Sequence, residues 1–318
     1  MTRWIAALIA AGLVLTLTHA AAQTPGAYHP PRTSDGRPDL QGVWASAFLT
    51  GLERPEDVKD LVLAPAAARQ LARKFLSFTP IVVDPDANFG TDYQLAIVRG
   101  SFRSSLLIDP PNGRMPFSAL ALAAVTRGQD RNAHAFDNPE ERPTVERCVV
   151  GGGQAPLRPE HGFTPTQIIQ SREAIVLMTE DVGGPRIVHL TGAPPPAALR
   201  SYEGYSAGHW DGDTLVVETT HLRRDDPYRD TVDRTVLVGP NSRIIERFTR
   251  LSDTELLEQF TVEDTDLYTQ PWLAEFSLTF SPQPTFEYAC HEANYALTNM
   301  LRAARLGRQE TAPGQHAK

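Results

Sequence analysis

Apolar and polar residues alternate with a two-residue period through most of the carboxy-terminal half of this chain. Trp272-Leu273-Ala274-Glu275-Phe276-Ser277-Leu278-Thr279-Phe280 is the clearest run, and it predicts a strand with one buried face. The same reading predicts strands at Gln167–Gln170, Ala174–Thr179, Arg186–Leu190, Gly208–Trp210, Thr214–Thr219, Thr235–Val238, Arg243–Leu251, Glu255–Glu263 and Thr285–Ala289. Asp211-Gly212-Asp213 between two of them predicts a tight hairpin, because glycine accepts positive φ. So many short strands with short links predict an antiparallel up-and-down barrel, lipocalin-like in layout, which leaves no exposed sheet edge.

Upstream the pattern is mixed. Gly42-Val43-Trp44 reads as the start of a strand, and Ala64–Phe78 has helical spacing at Leu71, Phe75 and Phe78. Short strands are predicted at Ile81–Val83, Leu95–Val98 and Leu106–Ile108, then a helix over Pro116–Val125 and a polar, irregular stretch over Gln129–Glu146. An amphipathic helix over Asn294–Arg305 ends the ordered pattern. The expected division is a signal segment at 1–22, a mixed α/β extension at 23–160 packing on the barrel, the barrel with its terminal helix at 161–306, and a disordered tail at 307–318.

The first 22 residues combine Arg3, an apolar run from Ile5 to Leu17 and Ala20-Ala21-Ala22. That is the form of a secretory signal, and the run is too short to span a bilayer. A periplasmic or secreted location is therefore expected, with no membrane span. The formal charge of −8 comes without any dense Lys/Arg run, which excludes an ordinary nucleic-acid partner. Cys148 and Cys290 are the two cysteines. In an oxidising compartment they most simply form one disulfide, and a nucleophilic cysteine beside His291 is the alternative.

The strand faces carry the candidate chemistry. Val216 shares a face with Glu218, Ile244 and Phe248 share one with Glu246, and Leu256, Phe260 and Val262 share one with Glu258. If these faces point inward, each strand buries a carboxylate in an apolar wall. Such a group must be neutralised, paired or held for function. If a strand turns its other face inward, Arg247 or Gln259 raises the same difficulty. A second cluster is Cys290-His291-Glu292, which a disulfide would bring to Glu146 and Arg147.

The candidate catalytic residues are thus Glu218, Glu246, His291 and Glu292. Arg147 and Arg247 are candidate anion partners, and Trp210 and Tyr288 candidate ligand contacts. The nine histidines form no His-x-His or His-x-x-x-His pair, so neither a metal nor a cofactor is expected. The leading expectation is a binder of a small, partly apolar molecule. A cofactor-independent hydrolase, isomerase or cyclase using the same cavity is the second, and a structural envelope module the third.

Several phrases resemble a group of uncharacterised secreted bacterial proteins. They are Asp35-Gly36-Arg37-Pro38-Asp39-Leu40-Gln41-Gly42-Val43-Trp44, Trp210-Asp211-Gly212-Asp213-Thr214-Leu215-Val216-Val217-Glu218-Thr219 and Tyr288-Ala289-Cys290-His291-Glu292-Ala293-Asn294-Tyr295. The resemblance implies a secreted protein and no particular reaction. Gly42-x-Trp44 is also similar to the first strand of calycin-type barrels, where the tryptophan closes one end.

Overall fold

A computed structural model of the protein describes residues 28–46, 48–78, 94–151, 153–158, 164–223, 228–230 and 235–311. The signal segment, the strand expected at Ile81–Val83 and the last seven residues of the tail lie outside them. The strands are β1 Gly42–Ser46, β2 Val62–Leu63, β3 Ile97–Val98, β4 Ser101–Arg103, β5 Leu107–Asp109, β6 Thr164–Gln170, β7 Ala174–Thr179 and β8 Arg186–His189. They continue as β9 Tyr205–Asp211, β10 Thr214–Thr220, β11 Tyr228–Asp230, β12 Thr235–Leu237, β13 Arg243–Arg250, β14 Glu255–Glu263 and β15 Trp272–Ser281. The helices are α1 Pro65–Phe78, α2 Ala119–His134 and α3 Tyr295–Thr311.

Nine strands close into a barrel in the order β1-β6-β7-β8-β9-β10-β13-β14-β15, and β15 pairs back onto β1. Every pairing around it is antiparallel except β8 with β9, which is parallel, so the barrel is mixed. The long link between these two strands, rich in proline at Pro194-Pro195-Pro196, lets the chain return to the same end before β9 starts. The first stave, β1, comes from the stretch expected to pack outside. The seam there splays, with β15 pairing β1 through Thr279–Ser281 and β5 through Leu273 and Ala274.

Local chemistry sets the details. Asp211 pairs with Thr214 across a two-residue loop, with Gly212 at φ +60, as the hairpin signal requires. Gly208 faces inward on β9, where a Cβ would stand 2.6 Å from Val188 Cγ1; the missing side chain is what lets β8 pack against β9. One barrel end is closed by the chain before β1. The Trp44 indole N–H donates to the Leu40 carbonyl at 2.9 Å, and Arg250 lies 5.5 Å over the Trp44 ring while donating to the Asp39 carbonyl at 2.8 Å.

Outside the barrel, β2, β4 and β3 form a small sheet. With α1 it encloses a second apolar cluster of Leu49, Ala68, Leu71, Ala72 and Leu95. Arg103 docks this module on the barrel wall by donating to Glu275 at 2.9 Å, and Gln259 donates to the other oxygen of Glu275 at 3.1 Å.

Three elements differ from the sequence pattern. Helix α2 continues into the polar stretch as far as His134, started by Ser118, whose Oγ accepts from the Ala121 N–H at 3.1 Å; no proline follows until Pro139. Helix α3 runs past Gly307 to Thr311. Thr285–Ala289 is an irregular strap, not a strand. Pro282 and Pro284 precede it and supply no backbone donors, and it is held by side chains, with Thr285 donating to Gln167 and the Phe286 N–H to Glu180.

Candidate functional site

The inward faces of the barrel strands form a single apolar core. Phe260 meets Trp272 edge-on at 5.5 Å and Phe276 at 6.4 Å, while Tyr268 meets Trp272 at 5.7 Å. Such contacts contribute roughly 0.5–1.5 kcal/mol each beyond area burial. Tyr268 satisfies its hydroxyl on the Leu237 backbone, accepting from its N–H and donating to its carbonyl, both at 2.9 Å.

One arginine and two glutamates sit together within this core. Arg186, Glu246 and Glu258 are 1%, 0% and 0% exposed, and for groups of this kind such burial demands compensation. Arg186 begins β8 and reaches across the lumen, Nη2 donating to Glu246 Oε1 at 2.9 Å. Glu246 opposes Phe260, and Glu258 opposes Phe248, so the two carboxyl groups are diagonal neighbours on one face, with backbones roughly 7–8 Å apart. Compensation is incomplete. Arg186 Nε and Nη1, Glu246 Oε2 and both oxygens of Glu258 make no hydrogen bond.

A second contact comes from a loop. Residues 153–158 are all buried and stop the barrel end where β8 begins. Ala155 and Leu157 join the core cluster, and the Leu157 N–H donates to Glu246 Oε1 at 2.7 Å. Gln154 anchors the loop by donating to the Tyr202 carbonyl at 3.0 Å. Glu246 Oε1 therefore accepts from both the guanidinium and a backbone amide.

Burial pushes the Glu258 carboxyl well above the ordinary carboxylate range; the negative charge of Glu246 adds to this and Arg186 opposes it. A carboxyl raised by folding holds its proton in the native state after the unfolded chain has released it. Its contribution to stability is present below the unfolded value and is lost as pH rises through the folded one. Glu258→Gln, which stays neutral, should therefore gain stability relative to the parent with each pH unit above about 5, by up to ~1.4 kcal/mol per unit for one proton. Denaturant midpoints of both proteins from pH 5 to pH 8 check this, and parallel curves would refute it.

The sequence candidates separate into three places. Glu246 is in the core. Strand β10 turns Leu215, Val217 and Thr219 inward, so Glu218 faces out, where it accepts from Arg243 at 2.5 Å. Arg247 is also outside, paired with Asp211 at 2.8 Å. Trp210 is half-buried against the core, its indole N–H without an acceptor.

The remaining candidates gather at the Cys148–Cys290 disulfide, whose Cα atoms are 5.7 Å apart; the bond removes the nucleophilic-cysteine alternative. Asn294 ties the two sides by donating to the Glu146 carbonyl at 2.9 Å, and Glu146 is held by Arg142 through both oxygens. Beside them lies a cleft of about 540 Å³ lined by Glu146, Tyr288 and Met300 among others. His291 and Glu292 are exposed in a single 3-10 turn, on a different part of the molecule from the buried carboxyl groups. Arg147 is half-buried on the Cys148 side.

Sequence reasoning placed Glu258 on an inward face without naming it as a site residue, and it missed Arg186 and the 153–158 plug. Arg186 had a readable signal, since a charged residue two positions from Val188 shares its inward face. The plug had none, because a loop carries no periodicity.

No helix among the described residues is long and apolar enough to cross a membrane, and no group of three or more His, Cys, Asp or Glu gathers among them as a metal site would. No protein-family model, curated protein or solved structure matches the chain.

Proposed function

We propose that the protein is a binding barrel for a small, partly apolar molecule, working in an oxidising compartment outside the cytoplasm. The observation that carries this reading is the buried Arg186–Glu246–Glu258 group, with hydrogen-bonding atoms left over inside an aromatic-lined barrel. Ligand sites typically combine an apolar wall with a few convergent polar groups. A buried polar atom without a partner costs about 1–3 kcal/mol, so a ligand that satisfies these atoms recovers energy the protein alone does not. The likeness to calycin barrels supports the reading, with Trp44 at one end and the polar group towards the other. The disulfide suits the proposed compartment.

A second reading, a cofactor-independent acid–base enzyme, is favoured by one feature. Glu258, whose carboxyl burial pushes upward, stands next to Glu246, which is paired with Arg186, and two neighbouring carboxyl groups in unlike surroundings suit one to give and the other to take a proton.

Native mass spectrometry of the protein isolated from the medium or envelope fraction of its own cells tests the binding reading. The expected result is a small-molecule adduct that is lost on denaturation and weakened in Glu258→Leu. A bare mass in every preparation would sink it in favour of a structural module. Turnover of the released molecule that Glu258→Gln abolishes without releasing it would favour the enzyme.

A further inference from the structure

The plug and the polar group share an oxygen, and that sharing says something about the molecule that fits. We propose that residues 153–158 act as a built-in stand-in for the ligand, and that the ligand of the proposed barrel site is a neutral molecule carrying a secondary amide on a compact apolar body. The inference rests on the binding reading above and adds the chemical class and the occupant that must leave.

Four observations support it. The contact that the plug makes with the polar group is itself a peptide N–H, from Leu157 to Glu246 Oε1 at 2.7 Å. Next to that N–H the plug presents small apolar groups, Ala155 and Leu157, 0% and 3% exposed. The atoms it leaves unmatched include donors on Arg186 and acceptors on Glu246 and Glu258, and an amide taken whole meets the first two, its N–H on Glu246 and its carbonyl on Arg186. Finally, the plug starts at Gly153, where a Cβ would meet nothing nearer than 3.5 Å, so the backbone there turns at low steric cost.

Charge narrows the class. Arg186 and Glu246 pair one to one, and a neutral guest keeps that balance. An anionic guest would add a third carboxylate beside two carboxyl groups served by one guanidinium. A pure hydrocarbon would leave all the unmatched atoms as they are, and would also take the Leu157 donor away from Glu246. An amide replaces the N–H that the plug supplied and adds an acceptor for Arg186, which the plug lacks. Ligand and plug compete for the same space, so apparent affinity is reduced by the fraction of molecules with the plug withdrawn.

The test uses the full chain and three probes of one shape, acetanilide, phenylacetone and phenylacetate, in calorimetric titrations. Acetanilide is expected to bind at least about tenfold more tightly than the ketone, which lacks the N–H, and the anion. Leu157→Gly, which loosens the plug, should tighten acetanilide binding by about tenfold. Hydrogen exchange on the unmutated protein gives a reading that needs no variant: saturating acetanilide should speed exchange across 150–158 as the plug withdraws. Equal affinity for the three probes overturns the amide assignment. Binding that leaves exchange across 150–158 unchanged or slowed overturns the stand-in. Failure of all three probes overturns the whole inference, and the binding reading then depends on whether native mass spectrometry finds a retained molecule.

Discussion

Arg186→Met is expected to destabilise the protein by about 3–5 kcal/mol, because it leaves Glu246 as a buried charge without its countercharge. The carboxylate then keeps a single donor, the Leu157 N–H, with the raised Glu258 carboxyl as its neighbour. The informative comparison is Arg186→Met/Glu246→Gln. Glutamine keeps an acceptor for Leu157 and removes the charge, so the double variant should recover most of the loss and end within about 1 kcal/mol of the parent. Replacing a whole buried ion pair is commonly neutral, whereas removing half of it is not. Urea midpoints of the parent, both single variants and the double variant close the cycle. If Arg186→Met alone is as stable as the parent, the pair does not hold the barrel end, and the polar group loses its place as the ligand's anchor.

The second large effect concerns the staple. Cys148 and Cys290 are 142 residues apart, so their bond closes a loop holding most of the barrel. Cys148→Ser/Cys290→Ser is expected to lower stability by about 4–5 kcal/mol, chiefly by restoring freedom to the unfolded chain. The disulfide also joins two segments with little regular structure, the 142–148 turn and the strap leading to α3. Denaturant midpoints of the oxidised parent and the serine variant measure the loss. A parent reduced by dithiothreitol should match the variant, and identical midpoints for all three would contradict the loop-closure account.

How far the site could be read from the sequence depended on which distances it required. Glu246 and Glu258 were legible because a strand's two-residue period assigns each to the face of Phe248 or Phe260. Glu218 obeyed the same rule, yet its strand turned the other face inward, since Leu215, Val217 and Thr219 bury as well as Val216 does. Period tells which residues share a face; it does not tell which face is wet. Arg186 is three staves from Glu246 around the barrel, so their ion pair exists only once the sheet has closed.

The same distinction separates the two halves of the molecule. Alternation and the Gly212 turn specified staves and hairpin, because strand pitch and positive φ are local properties carried by neighbouring residues. The pairing of cysteines was favoured by their number alone. Closure of β15 on β1, the parallel β8–β9 pair, and the descent of the 153–158 loop onto Glu246 depended on contacts between residues far apart in sequence. Those contacts form only when the whole core packs, and they are what turned a pattern of strands into a sealed barrel with a charged centre.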